Sequence, residues 1–182
     1  MEIRKMITKS SKSCSTNAKI TRSKKLLLVS HCVLNQNSVV CDWERAAGAF
    51  QFVKEIIESG AGIIQLPCPE MEYAGCGRPP KNYEEYNTAS YRELCRHLAG
   101  SVTGQMKEYL KHGYQYCGII GIQNSPTCSI SGRRGVFMEE LLAQLSDIGL
   151  VSGYFEVPES YNDECQGKVL DIIHQIKVEV QK

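Results

Sequence analysis

Apolar and polar positions follow one another in blocks that predict alternating strands and helices. Continuous apolar runs at residues 26–30, 62–66 and 116–122 are typical of strands buried on both faces of a sheet. A weaker strand is predicted within residues 150–157. Between the runs, apolar positions recur about every 3.6 residues, which predicts helices.

Four helices are predicted, at residues 44–59, at 90–112, at 136–148, and from Asn162 or Asp163 into the C-terminal segment. The side chains that we expect to face the core in the first are Ala47, Phe50, Val53, Ile56 and Ile57. In the second they are Tyr91, Leu94, Leu98, Val102, Met106 and Tyr109, and in the last Val169, Leu170, Ile173, Ile176 and Val180.

This order predicts a single Rossmann-like α/β domain at residues 25–182, with a mostly parallel sheet of four to five strands and helices on both faces. Residues 1–24 are predicted to be a flexible basic tail, because residues 1–25 contain eight Lys or Arg and one acid, Glu2. Outside them, 13 basic and 19 acidic residues leave no basic stripe, so we expect no nucleic-acid partner.

The nine cysteines change this picture most. The sequence has no secretory signal and no apolar run long enough to span a membrane, so we expect a cytoplasmic protein with free thiols. Cys32, Cys68 and Cys128 each follow a predicted strand. The carboxyl ends of parallel strands meet at one edge of a sheet, so we expect these three thiols to lie close together.

Several familiar sites are absent from the sequence: C-x-x-C pairs, the phosphate-binding loops, the dinucleotide-binding glycine pattern and the G-x-S-x-G nucleophile turn. Three thiolates hold either an iron–sulfur cluster or a zinc ion. Three protein ligands leave one metal position open, which is the layout of a catalytic site. Cys95 and Cys117 are expected to pack in the core, and Cys76 is a candidate fourth ligand or sulfur relay.

Three segments carry a family resemblance: Ser30-His31-Cys32-Val33-Leu34, Cys68-Pro69-Glu70 and Ser125-Pro126-Thr127-Cys128. In this order they resemble the signature segments of the 2-thiouracil desulfurase (TudS) family, across residues 26–135. The resemblance implies a 4Fe-4S cluster held by Cys32, Cys68 and Cys128, with its fourth iron free to bind the sulfur of a thiolated nucleobase. It also implies that Glu70 moves protons and that Ser125 orients substrate or water.

The loops beside the ligands depart from the family pattern, so the resemblance does not specify 2-thiouracil itself as the substrate. Asn35, Asn37 and Asp42 follow Cys32, Arg78 follows Glu70, and we predict that these four side chains contact the substrate. The expected partner is a small thiolated molecule, and the sequence does not specify an oligomeric state. Two alternatives stay open: a sulfur-transfer protein, and a cluster or zinc sensor without catalysis.

Overall fold

A computed structural model describes residues 21–150, 153–163 and 169–182 of the chain. The predicted tail falls almost wholly on residues 1–20, outside the described residues. The strands are β1 (Lys25–Val29), β2 (Gly62–Gln65), β3 (Gln115–Ile122) and β4 (Tyr154–Val157). The helices are α1 (His31–Leu34), α2 (Val53–Glu58), α3 (Pro69–Ala74), α4 (Tyr83–Tyr86), α5 (Ala89–Lys111), α6 (Val136–Asp147) and α7 (Val169–Gln181).

The four strands form one parallel sheet in the order β2-β1-β3-β4. Strands β1 and β3 occupy the centre, and each of their neighbours is reached through a helical crossover, as parallel pairing requires. The carboxyl ends of all four strands therefore lie at the same edge. The predicted α/β fold with a four-stranded parallel sheet is confirmed.

Side chains of β1 alternate between two hydrophobic cores, one on each face of the sheet. Leu26 and Leu28 pack with buried residues of α5 and α6 on one face. Leu27 and Val29 pack with residues of α2 and α7 on the other. This period of two explains the continuous apolar runs in the sequence, because both faces of the sheet are covered.

The predicted helix at residues 44–59 is wrong in its first half, because only Val53–Glu58 is helical. Backbone groups before this helix bond to the segment after β1 instead of to the next turn: the Arg45 N–H donates to Gln36 Oε1, and Gly48 accepts from the Gln36 N–H. Phe50, Val53 and Ile56 are buried as predicted, whereas Ala47 and Ile57 are exposed.

Two further regions differ from the prediction. The segment after Cys68, predicted as a long loop, contains α3 and α4. The described part of the last helix begins at Val169, while Asp163 lies in a turn, and residues 164–168 are outside the described residues. Leu170, predicted to face the core, is exposed, whereas Ile173, Ile176 and Val180 are buried. None of the helices in the described ranges is long and apolar enough to span a membrane.

Candidate functional site

Three cysteines, each beyond the end of a neighbouring strand, line one cavity. Cys32 lies in α1 immediately after β1, Cys68 is the residue before α3, and Cys128 lies in the loop between β3 and α6. All three line a cavity of about 440 Å³ at the carboxyl edge of the sheet. The topology thus brings together thiols that are up to 96 positions apart in the sequence.

The thiols affect one another electrostatically. The pKa of Cys32 is raised to about 12, chiefly by burial and also by Cys68 and Glu70, while Arg45 acts in the opposite direction. Burial also raises the pKa of Cys128, with Cys32 and Cys68 as the next causes. Burial raises the pKa of the Cys68 thiol as well, and the hydrogen bond with the Met71 backbone N–H partly lowers it again. Without a cation the three groups are therefore neutral thiols, and binding a cation would favour their thiolate forms.

Glu70 is held at the cavity by an ion pair. Arg78 Nε donates to Glu70 Oε2 at 3.2 Å, and the Tyr86 hydroxyl donates to the same oxygen at 3.4 Å. Both charged side chains are largely buried, at 3% exposure for Arg78 and 14% for Glu70. Glu70 Oε1 has no hydrogen-bond donor among the described residues, which leaves that oxygen able to exchange a proton.

Ser125 organises the turn that leads to Cys128. Its Oγ accepts hydrogen bonds from the N–H groups of Cys128, at 3.0 Å, and Thr127, at 3.3 Å. These bonds fix the oxygen at the cavity wall while the hydroxyl proton has no acceptor within the described residues. Ser125 can therefore still donate a hydrogen bond into the cavity.

The loop carrying Cys128 is fixed by neighbours that the sequence did not identify. The Glu156 carboxylate on β4 accepts from the Ser129 hydroxyl, the Ile130 N–H and the Ser131 hydroxyl. On the other side, the Tyr91 and Thr127 hydroxyls are hydrogen-bonded at 3.0 Å inside the protein. A loop held on two sides keeps the Cys128 thiol in place.

Two of the four residues predicted to contact the substrate line the cavity and two do not. Asn35 and Asn37 do not line it, because Asn35 Oδ1 accepts from the Asn37 backbone and side-chain nitrogens in a local turn. Asp42 lines the cavity, on a left-handed backbone at φ 68°. Arg78 also lines it, but its donors are used by Glu70, the Gly75 carbonyl and the Ser38 carbonyl, so it supports Glu70.

Other wall residues were missed by the sequence analysis, chiefly Gln36, Trp43 and Arg45. Gln36 is buried, and its Nε2 donates to the Cys32 carbonyl at 2.6 Å. Trp43 is 63% exposed at the mouth. Because these residues follow Cys32 in a stretch predicted to be loop and helix, no periodic pattern singled them out.

The remaining described cysteines lie outside the cavity. Cys95 and Cys117 are buried in the two cores, as predicted. Cys76, the candidate fourth ligand, is exposed and does not line the cavity, and neither does Cys41. Cys14 and Cys165 are outside the described residues.

The donor set is chemically suited to a soft metal, although it is not preformed for one ion. Within the described ranges, no three His, Cys, Asp or Glu side chains are grouped so that they could hold a metal ion. The Ser30 hydroxyl is buried without a hydrogen bond of normal geometry among the described residues, close to Cys128. By the chemistry of their thiols, Cys32, Cys68 and Cys128 are the cavity residues that would bind a soft metal group, although their arrangement is not that of a single-ion site.

Fold and site together define a parallel α/β protein with a thiol-lined cavity at the carboxyl edge of its sheet. The chain is 44% identical over 143 residues to the uncharacterized protein MJ0003 of Methanocaldococcus jannaschii, across 78% of this chain and 91% of that protein. It belongs to the same family as MJ0003. No family model matches the chain. No solved structure matches it either.

Proposed function

We propose that this protein is a non-redox iron–sulfur desulfurase that removes sulfur from a thiolated nucleobase or a similar thiocarbonyl compound. The observation that carries the proposal is the convergence of Cys32, Cys68 and Cys128 on one cavity that also contains Glu70 and Ser125. These five residues are those that the resemblance to the 2-thiouracil desulfurase family assigns to cluster binding and catalysis. The cavity is also in the size range of roughly 300–1,000 Å³ typical of small-molecule sites.

The thiols of Cys32, Cys68 and Cys128 are the residues that would hold a 4Fe-4S cluster, as the family resemblance implies. They line one cavity and influence one another's ionisation. With three protein ligands such a cluster would leave one iron open, which would supply a Lewis acid for the thiocarbonyl sulfur.

The proposed reaction is a hydrolysis in which one water is consumed and no electrons are transferred. The C=S group becomes C=O, and the sulfur leaves as hydrogen sulfide or its anion. Glu70 takes a proton from the attacking water through its unpaired Oε1 and returns it to the substrate or product. Arg78 and Tyr86 hold the other oxygen, so the carboxylate keeps one orientation during this exchange.

Ser125 and the cavity walls position the heterocyclic ring of the proposed substrate. The Ser125 hydroxyl oxygen is fixed by two backbone N–H groups, and its proton donates to the substrate or to the water. Apolar wall residues suit a flat heterocycle and limit access of other water. They include Val39, Val40, Trp43, Ile122 and Pro126.

Anaerobic reconstitution with iron and sulfide tests the proposal. We expect brown protein with about four irons per chain, and release of sulfide from 2-thiouracil or a related thiobase. Cys32→Ser, Cys68→Ser and Cys128→Ser should each lose iron and activity, whereas Cys41→Ser, at an exposed cysteine outside the cavity, should keep both. Colourless protein with one zinc would refute the cluster. Brown protein that is inert toward every thiobase would favour sulfur transfer or sensing.

A further inference from the structure

Arg45 is the cavity residue whose charge and free donors the proposed reaction leaves unused. It lines the cavity, half-buried, and is the cation that favours the thiolate of Cys32. The other buried arginine of the wall, Arg78, is occupied by Glu70 and two carbonyl groups. Arg45 therefore differs from Arg78 in what it can offer a ligand.

The position of Arg45 is fixed by its own backbone and by one end of its guanidinium. Its backbone N–H donates to Gln36 Oε1 at 2.9 Å, and its carbonyl accepts from the Asp163 N–H at 3.3 Å. Nη1 lies 2.7 Å from the Pro158 carbonyl oxygen and 3.2 Å from that of Glu159. The side chain is thus anchored before any ligand arrives, which lowers the entropic cost of binding.

The opposite edge of this guanidinium has no acceptor in the part of the chain that the structure describes. No described residue accepts a hydrogen bond from Nε or Nη2 of Arg45, since all its side-chain bonds are made by Nη1. Nε–H and the adjacent N–H of Nη2 point the same way in the guanidinium plane. This pair of donors matches two coplanar acceptors, and a lysine ammonium cannot reproduce it.

The acids of the cavity leave this edge available. Glu70 is paired with Arg78, and the Glu159 carboxylate accepts from Asn124 Nδ2 at 2.6 Å. Asp42 and Glu44 also line the cavity, but both are exposed and form no ion pair or side-chain hydrogen bond with Arg45. Glu159 acts on the charge of Arg45 through space, but no acid of the described residues accepts a hydrogen bond from its Nε or Nη2. A carbonyl oxygen of a ligand could therefore accept from both of these donors.

We propose that the Nε–Nη2 edge of Arg45 binds the two coplanar lone pairs of an exocyclic carbonyl oxygen of the substrate, the oxygen at ring position 4 of a 2-thiopyrimidine. Arg45 is then a specificity-determining residue that selects oxygen-bearing thiopyrimidines over rings without the oxygen. This inference rests on the proposed desulfurase function, which it deepens by naming the substrate feature that is recognised.

Binding without turnover tests Arg45 independently of the cluster. Uracil and pyrimidin-2-one, which differ by one carbonyl oxygen, serve as product-like probes, with affinity measured by titration calorimetry. Trp43 is the one tryptophan of the chain and lies at the cavity, so its fluorescence reports whether the probe occupies this site. The wild type should bind uracil more tightly than pyrimidin-2-one, and Arg45→Gln should weaken uracil binding roughly 10- to 100-fold.

The preference between probes separates recognition from a structural role. Arg45→Gln should bring the ratio of the two affinities close to one, and Arg45→Lys should restore it only in part because it keeps the charge and loses the paired donors. Arg96→Gln is the matched control, since Arg96 lies on α5 and does not line the cavity. An unchanged ratio in Arg45→Gln, or equal weakening of both probes, would overturn the inference.

Turnover of 2-thiouracil and 2-thiopyrimidine by the reconstituted protein gives the second comparison. Arg45→Gln should raise KM for 2-thiouracil with little change in kcat, and should reduce the preference in kcat/KM for this substrate. If the wild type turns over neither compound, the proposed function fails while the binding comparison still tests Arg45. If the wild type is active and Arg45→Gln keeps its preference, only the inference about Arg45 fails.

Discussion

Two ionic side chains of the cavity wall, Glu70 and Arg45, differ in their hydrogen-bond partners. Glu70 pairs with Arg78 in a largely buried setting, and one of its oxygens remains unbonded by the described residues. Arg45 is anchored through Nη1 to carbonyl groups and keeps its opposite edge unbonded within the described part of the chain. A carboxylate suited to proton transfer and a guanidinium suited to recognition thus share one site.

Glu70→Gln tests the acid–base role. We expect sulfide release to fall roughly 10²- to 10⁴-fold with iron content unchanged, because an amide cannot exchange the proton. Loss of the charge opposite Arg78 should also lower the free energy of unfolding by about 1–3 kcal/mol, measured by urea titration. Glu72→Gln, at an exposed position of the same helix, is the control and should change neither quantity. A fully active Glu70→Gln protein would contradict the role.

Alkylation of the metal-free protein tests the electrostatics of the thiols. Thiolates react and thiols do not, and burial raises the pKa values of Cys32 and Cys128. At pH 8 we therefore expect iodoacetamide to modify the exposed Cys41 and Cys76 at least about 10-fold faster than Cys32 and Cys128. Peptide mass spectrometry measures the four rates. Raising the pH toward 10 should speed modification of Cys32, whose folded pKa is about 12. Equal rates at pH 8 would contradict the raised pKa values.

At the scale of elements, the loop between β3 and α6 is packed against the start of that helix. The Val136 and Met138 N–H groups donate to the Pro126 and Thr127 carbonyls, so the first turn of α6 is bonded to the loop itself. Gly135 allows this approach: a Cβ there would lie 2.3 Å from the Thr127 carbonyl carbon and 2.7 Å from the Cys128 nitrogen. The position of Cys128 therefore depends on residue 135 being a glycine, which has no side chain.

Gly135→Ala should displace this loop. We expect it to destabilise the protein by about 1–3 kcal/mol in urea unfolding and to lower iron incorporation, because the added methyl group overlaps backbone atoms. Gly104→Ala is the matched control within α5, where a Cβ meets nothing within 4 Å and helix propensity predicts about 1 kcal/mol of stabilisation. A Gly135→Ala protein with normal stability and iron content would show that the loop adapts.

At the scale of the whole molecule, the cavity is built from three separate crossovers. Its walls come from the segments after β1, β2 and β3 and from Glu159, which follows β4. A group that binds all of these segments should stabilise the folded state as a unit, because it binds poorly to the unfolded chain.

Removal of the proposed cluster should therefore lower Tm. We expect the iron-loaded protein to unfold roughly 5–10 °C above the metal-free protein in anaerobic scanning calorimetry. Cys41→Ser should retain this difference, and Cys68→Ser should lose it. A difference of the same size in Cys68→Ser would mean that iron stabilises the protein elsewhere.

Local patterns were enough to predict the fold and part of the cavity wall. The apolar runs placed β1, β2 and β3 within a residue or so of their observed bounds, and both faces of the sheet are covered as those runs require. Residues 44–50 were mispredicted, because their helical period was overridden by hydrogen bonds to Gln36. Contacts between distant parts of the chain decided this stretch, and periodicity carries no information about them.

The sequence by itself determined the order of strands and helices, and with it the meeting of Cys32, Cys68 and Cys128 at one edge of the sheet. That much follows from topology, since parallel strands with right-handed crossovers leave little freedom in where their ends lie. Only the tertiary structure decided that Arg78 pairs with Glu70, that Asn35 and Asn37 lie outside the cavity lining, and that Nε and Nη2 of Arg45 have no acceptor among the described residues. Such roles depend on hydrogen-bond partners far away in the chain, and these are set by the packing of the whole molecule.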